Sequence, residues 1–129
     1  MSEKKKILIV DDDKDYGEAL KMILAKNGFE VHHALNVQAG RKFVEENRPS
    51  LIILDVMMDK HTDGFDFCYA LKHDEKYKNI PVLMVTAVTG KTGFKFSPET
   101  DGEYLQADDY VNKPVSSSEL LQRVQKLIG

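Results

Sequence analysis

Short apolar runs of strand-forming residues recur along this chain, and a stretch with helical period follows most of them. Residues 7–10 and 51–54 are continuous runs of Ile, Leu and Val. Such runs are typical of strands that are buried on both faces of a parallel sheet. Further strands are predicted at 29–34, at 80–85 and at 109–111, and the second of these is entered at Pro81. The order of these elements is the strongest constraint on the fold.

Amphipathic segments separate the predicted strands. Apolar residues at helical spacing, together with capping and stop residues, predict helices at four places. The alternation of strand and helix predicts a doubly wound α/β fold with a parallel sheet. The predicted helices run from Tyr16 to the stop at Asn27-Gly28, from the cap at Asn36 to before Pro49, from Asp63 onward, and from a capping box at 116–119 onward.

Length and composition limit the class of protein. A chain of 129 residues corresponds to about one domain, and no Pro, Gly or Ser-rich linker divides it, so residues 1–129 are expected to form one domain without an output domain. No apolar run approaches the ~20 residues of a membrane-spanning helix. The apolar run 7–10 that follows the basic start is too short for a signal peptide, so none is expected. A net charge of −3 argues against a nucleic-acid-coating surface. The single cysteine fits a reducing cytosol, so we expect a cytoplasmic protein.

The polar residues that follow the predicted strands are the candidate functional residues. In doubly wound folds, ligands bind beyond the carboxyl ends of the strands, because these ends meet at one edge of the sheet. One such residue is more often a cap or a surface group, so the set taken together carries the prediction. The set consists of Asp11 and Asp12 after the first strand, Asp55 after the third, Thr86 after the fourth and Lys113 after the fifth.

This set of residues suits phosphoryl transfer. Carboxylates crowded at one edge repel one another, and a bound Mg²⁺ would relieve that repulsion, since it prefers oxygen ligands. Aspartate can accept a phosphoryl group to form an aspartyl phosphate. The ammonium group of Lys113 is placed to neutralise phosphoryl charge, and the hydroxyl of Thr86 to donate a hydrogen bond to a phosphoryl oxygen.

Several other polar residues have a structural explanation. Asp13 and Asp63 are expected to cap helices, because an acid directly before a helix usually does so. Cys68 is expected to fill the core, since it lies on the apolar face of a predicted helix. Four histidines lack metal-ligand spacing and are expected at the surface, and they are His32, His33, His61 and His73.

With these residues in place, the chain resembles the receiver domains of bacterial response regulators, in particular the chemotaxis-regulator-like receivers. The order and spacing of four motifs carry the resemblance, which spans residues 6–127. The motifs are Val10-Asp11-Asp12, Leu54-Asp55-Val56-Met57-Met58, Met84-Val85-Thr86-Ala87 and Asp109-Tyr110-Val111-Asn112-Lys113-Pro114.

The resemblance implies a fold, an acceptor and a metal site. The fold would be flavodoxin-like, with five parallel strands in the order 2-1-3-4-5 and five helices. Asp55 would be the phosphoacceptor. Mg²⁺, for which Mn²⁺ could substitute, would be bound by Asp11, Asp12, Asp55 and the main-chain carbonyl of Met57, with Asp12 as a direct ligand.

The resemblance also implies a switch and a partner. Thr86 and Tyr110 would form the switch pair, and Lys113 would pair with the phosphoryl group. The donor would be a sensor histidine kinase or a histidine phosphotransfer protein, and the output would be binding to an unknown downstream protein or a phosphorelay. Nucleic acid and membrane are not expected as partners.

Two segments depart from the family pattern. Asp59 stands where the family usually has proline, and it is expected either to tune the metal site or to be solvated. The segment from Val88 to Asp108 is longer than in the family and contains glycines and a proline that disfavour a helix. We therefore expect the fourth helix of the family to be short, near residues 101–106, or replaced by a long loop.

The leading hypothesis is a single-domain response regulator that is not an enzyme beyond its own phosphorylation and dephosphorylation. One alternative is a receiver domain cut from a hybrid histidine kinase. Another is a Mg²⁺-dependent phosphatase with an aspartyl-phosphate intermediate, which is less favoured because Met57 stands where such an enzyme needs an acid. A receiver that binds partners without phosphorylation is disfavoured, because all five site residues are present.

Overall fold

A computed structural model describes residues 5–55, 63–86, 108–112 and 116–128 of the chain. Within these ranges, strands and helices occupy the places that the apolar patterns predict. The elements are β1 (Lys6–Val10), α1 (Lys14–Lys26), β2 (Glu30–Ala34), α2 (Val37–Asn47), β3 (Leu51–Asp55), α3 (Asp63–Lys72), β4 (Val82–Thr86), β5 (Asp109–Asn112) and α4 (Ser117–Ile128).

The five strands form one parallel sheet in the order β2-β1-β3-β4-β5. This order confirms the predicted fold class. The switch in strand order lies at β1 and β3, which are neighbours although β2 comes between them in the chain, and Val10 is in register with Leu54. The carboxyl ends of β1 and β3 therefore lie side by side at the place where such folds bind ligands.

Alternate residues of the central strands pack on opposite faces of the sheet, which is why the apolar runs have no polar positions. On one face, Leu8, Ile52 and Met84 pack with Val44 of α2 and with residues of α3. The α3 residues in this cluster are Phe67, Cys68 and Leu71, so the prediction that Cys68 fills the core is confirmed.

The opposite face of the sheet packs against the first and last described helices. Burial of both faces at roughly 25 cal/mol per Å² of apolar surface is the main favourable term that holds the strands in place. The cluster includes Ile7, Ile9, Leu51, Ile53, Leu83 and Val85 from the strands, Leu20 and Leu24 from α1, and Leu120 and Val124 from α4.

Side-chain caps set the beginnings of three helices. The Oδ1 atoms of Asp13 and Asn36 accept hydrogen bonds from the backbone of Tyr16 and Ala39, at 3.1 Å and 2.8 Å. At α4, Oγ of Ser116 accepts from the backbone N–H of Glu119 at 3.2 Å. Each such cap stabilises its helix by about 1 kcal/mol. The prediction that Asp13 caps a helix is confirmed.

Two cationic side chains hold the start of β5. Nζ of Lys72 donates to Oδ2 of Asp108 at 2.7 Å and to the carbonyl of Ile80 at 2.8 Å. The same carboxylate oxygen accepts from the backbone N–H of Val82 at 2.8 Å. The Lys72–Asp108 pair therefore ties the end of α3 to the start of β4 and to the residue before β5.

The second cation is Arg123 of α4. Its Nη1 atom lies 2.8 Å and 2.9 Å from the two carboxylate oxygens of Asp109. Hydrogen bonding to Asp109 is the larger cause, and the charge of Asp109 the second, that raises the pKa of Arg123 above the ordinary value of an arginine.

Residues 87–107, between β4 and Asp108, lie outside the described residues. They include the predicted long loop and short helix.

Candidate functional site

Three carboxylates lie together at the carboxyl edge of the sheet. Asp11 directly follows β1, Asp12 is the next residue, and Asp55 is the last residue of β3. One oxygen from each lies within 4.8 Å of an oxygen of the others. Asp11 and Asp55 are each only 2% exposed, whereas Asp12 is exposed. The sequence therefore predicted this juxtaposition correctly.

The turn after β1 is fixed by hydrogen bonds to its backbone. The N–H of Asp11 donates to the carbonyl of Ala34 at 3.0 Å, which continues the pairing of β1 with β2 by one residue. Oδ1 of Asp11 accepts from the N–H of Asp13 at 2.8 Å, so this carboxylate also closes its own turn. The chain then enters α1 at Lys14. Strand pairing and the helix cap thus place Asp11 and Asp12 against the end of β3.

His33 of β2 is the residue that the sequence placed wrongly. Its side chain is 4% exposed, whereas a surface position was expected. The ring lies between β2 and α1, with Nε2 2.8 Å from the carbonyl oxygen of Asp11 and Nδ1 3.2 Å from Oε2 of Glu18. The expectation was wrong because helix α1 covers this end of β2. His32 and His73 are exposed or half-exposed, and His61 lies outside the described residues.

Gly17 of α1 lies against the buried imidazole ring of His33. A Cβ atom at this position would lie 2.1–2.7 Å from three atoms of the His33 imidazole, so only glycine leaves room for it. Gly17 is in the interior of α1, where glycine is about 1 kcal/mol less favourable than alanine. A glycine inside a predicted helix is the signal in the sequence that could have indicated a close approach here.

The acidic cluster fits a hard divalent cation by the chemistry of its donors. Mg²⁺ prefers oxygen ligands, uses one or two carboxylates and keeps several waters. Asp11 and Asp55 are buried and Asp12 is exposed, so the cluster combines sheltered carboxylates with one that water can reach. Among the residues that the structure describes, this is the one group of three or more potential metal ligands.

The backbone places the other candidate residues at neighbouring positions. Thr86 is the last residue of β4, next to β3 in the sheet, and Asp55 is in register with Val85. Tyr110 is the second residue of β5, in register with Met84. Three further predicted residues, Met57, Asp59 and Lys113, lie outside the described residues.

Of the described helices, none has the length and apolar character required to span a membrane.

Comparison with known proteins identifies a family. Residues 7–125 match the family model of the response regulator receiver domain. The DNA-binding dual master transcriptional regulator RpaA of Synechocystis sp. is 37% identical over 123 residues, which cover 95% of this chain and 48% of RpaA. The chain spans about half the length of the curated relatives that it matches.

Solved structures agree with this match. The chemotaxis response regulator CheY4 of Vibrio cholerae has a TM-score of 0.82 and 29% identity, covering 97% of this chain and 99% of CheY4. A signal receiver domain of a signal transduction histidine kinase from Syntrophus aciditrophicus has a TM-score of 0.80 and 32% identity, covering 96% and 89%. The resemblance that the sequence motifs indicated is confirmed. The similar structures include a response regulator and a receiver domain of a histidine kinase.

Proposed function

The chain belongs to the response regulator receiver domain family, and we propose that it accepts a phosphoryl group on Asp55 and passes the signal on through altered protein contacts. The observation that carries this proposal is the position of Asp55. It is buried at the end of β3, with its carboxylate oxygens near those of Asp11 and Asp12. A phosphoryl group carries negative charge, and Asp55 has two acidic neighbours. Asp55 can therefore accept a phosphoryl group only where cations offset these charges.

The donor that we propose is a phosphohistidine on a sensor kinase or a phosphotransfer protein. A carboxylate oxygen of Asp55 attacks phosphorus, a P–O bond forms, and the P–N bond to the donor histidine breaks. Asp11, Asp12 and Asp55, together with the main-chain carbonyl of Met57, would hold a Mg²⁺ ion, which would supply positive charge to neutralise the transferring group.

The remaining roles belong to residues around this edge of the sheet. We assign to Lys113 the ion pair with the phosphoryl group, and to Thr86 and Tyr110 the switch that follows its charge. Phosphorylation adds about −1.5 to −2 charges and three acceptor oxygens. The position of Thr86 at the end of β4, beside the strand that carries Asp55, supports this assignment. The conformational change would alter a protein-binding surface.

The proposal concerns a cytoplasmic signalling domain rather than a classical enzyme. Because the chain spans about half of its curated relatives, the partners and output of the whole protein are also proposals. RpaA is described as DNA-binding, so the expectation of no nucleic-acid partner and the single-domain architecture stay predictions.

The test is phosphorylation by a small donor. We expect purified protein with acetyl phosphate and Mg²⁺ to gain one phosphoryl group by intact-mass spectrometry, and Asp55→Asn to gain none. Asp15→Asn is the matched control, since Asp15 is an exposed acid in the first turn of α1, and it should be labelled normally. Full labelling of Asp55→Asn would contradict the proposal, and repeated turnover of phosphomonoesters would favour a phosphatase instead.

A further inference from the structure

The buried ring of His33 contacts the peptide group that joins the two acidic residues of the β1 turn. The carbonyl of Asp11 can only accept a hydrogen bond, so Nε2 of His33 is the donor at 2.8 Å. A peptide group is planar, so the hydrogen bond to this carbonyl also fixes the amide nitrogen of Asp12. The ring therefore holds the direction in which the backbone leaves Asp11.

Strand β2 restrains Asp11 from both sides of its Cα atom. The N–H of Asp11 donates to the carbonyl of Ala34, and the carbonyl of Asp11 accepts from the ring of His33, the residue before Ala34. The first contact is ordinary parallel-strand pairing. The second depends on the side chain at position 33 and on the space left by Gly17.

From this geometry we propose that His33 is a positioning residue for the divalent-cation site, acting through the Asp11–Asp12 peptide rather than by touching the cation. The inference rests on the proposed function, because it assumes that Asp11 and Asp12 bind Mg²⁺. Groups that orient metal ligands typically change metal affinity by 10–100-fold when they are removed. Gly17 takes part by leaving room for the ring in the interior of α1.

The experiment is a measurement of Mg²⁺ affinity by titration calorimetry, well below the unfolding temperature and without a phosphodonor. His33→Leu fills the space with an apolar side chain and loses the donor, and we expect about tenfold weaker Mg²⁺ binding. His33→Gln restores a side-chain N–H and should recover most of the affinity. His32→Leu is the matched control, because the neighbouring His32 contacts Glu30 and Phe43 rather than the acidic turn, and it should bind Mg²⁺ normally.

A second pair of variants tests the same contact from the other side. Gly17→Ala should displace the ring and weaken Mg²⁺ binding about as much as His33→Leu. In a His33→Ala background, Gly17→Ala should leave the affinity unchanged and raise the unfolding temperature, since alanine then only improves the helix. A merely structural role for His33 would lower the unfolding temperature of the single variants without changing Mg²⁺ affinity.

The outcomes separate the two proposals. If the wild type binds Mg²⁺ and His33→Leu and Gly17→Ala bind it equally well, the positioning role is wrong and the proposed function stands. If the wild type does not bind Mg²⁺ at millimolar concentration, the proposed metal site is wrong and the positioning role is wrong with it. Weaker binding in both variants, with recovery in His33→Gln, supports the inference.

Discussion

Acidic residues gather at both edges of the parallel sheet, but their neighbours differ. At the amino edge, Asp108 and Asp109 lie within 2.9 Å of Lys72 and Arg123 nitrogens. At the carboxyl edge, carboxylate oxygens of Asp11, Asp12 and Asp55 lie within 4.8 Å of one another. The first arrangement ties α3, β4, β5 and α4 together. The second brings like charges together and favours the binding of a cation.

This difference separates acids that stabilise the fold from acids that are placed for chemistry. An acid that is paired with a lysine or arginine can favour the folded state without any bound ion. Ionised carboxylates that crowd one another raise it until positive charge lies among them. Removal of one charged group should therefore have different consequences at the two edges: loss of stability when an ion pair is broken at the amino edge, and loss of cation binding when an acid is removed at the carboxyl edge.

The largest expected effect is at the carboxyl edge. Asp12→Asn removes one charge from the exposed member of the carboxylate cluster, so we expect phosphorylation by acetyl phosphate to be abolished while the fold remains intact. Labelling is measured by intact-mass spectrometry and the fold by circular dichroism. Asp15→Asn makes the same charge change outside the cluster and should be labelled like the wild type. Normal labelling of Asp12→Asn would remove Asp12 from the metal site.

The next effect concerns the metal itself. A cation that binds only the folded state stabilises it by about 2.7 kcal/mol at 100 times its dissociation constant. For a chain of 129 residues, that corresponds to a rise of roughly 10 °C in unfolding temperature. Thermal unfolding in Mg²⁺ and in EDTA measures the difference, which should vanish in Asp12→Asn. An equal rise in that variant would show that Mg²⁺ acts elsewhere.

At the amino edge, the expected effect is on stability alone. Lys72→Met keeps the length of the side chain but removes the donor to Asp108 and Ile80, and should lower the free energy of unfolding by about 1–2 kcal/mol. The loss is modest because the Asp108 side chain is 40% exposed. Urea unfolding measures it, and phosphorylation should be normal.

Lys78→Met is the control for this prediction. Lys78 lies 3.1 Å from Glu75 in a pair whose side chains are 46% and 88% exposed. Such a pair contributes little, so we expect a change of less than about 0.5 kcal/mol. Equal destabilisation by the two variants would mean that the contacts of Lys72 have no special role at this edge.

A smaller effect than at Lys72 is expected at Arg123. Its side chain is 36% exposed, so solvent screens the pair with Asp109 and Arg123→Met should cost only about 0.5 kcal/mol. Its pKa is raised, so its contribution is present below the ordinary arginine pKa and is lost only when the pH rises past the raised value. The cost should therefore be the same at about pH 6 and pH 9. Urea unfolding at both values checks this, and a clear dependence on pH would contradict it.

Much of the fold could be predicted because its central strands are uninterrupted apolar runs. Runs such as 51–54 are apolar at every position, which indicates burial on both faces, and the acids after them indicate the strand ends. The order of the strands came from the resemblance to receiver domains rather than from the runs. The meeting of Asp11, Asp12 and Asp55 followed from parallel strands that share one edge.

His33 could not be placed in the same way. Position 33 lies in a strand whose pattern is mixed, with Val31 and Ala34 buried and His32 half-exposed. Whether such a side chain is buried depends on which helix crosses the strand end, and that is a tertiary contact. Gly17 carried the only local sign of it, because the helix gives up favourable backbone energy there to admit a ring from β2.

The central claim is that Asp55 itself accepts the phosphoryl group, and trapping the modified residue tests it most directly. Borohydride converts an aspartyl phosphate to homoserine, and peptide mass spectrometry then identifies the position. After treatment with acetyl phosphate and Mg²⁺, we predict homoserine at position 55, and none when Mg²⁺ is replaced by EDTA. Homoserine at position 11, 12 or 59 with Asp55 unchanged, or no homoserine at all, would contradict the account.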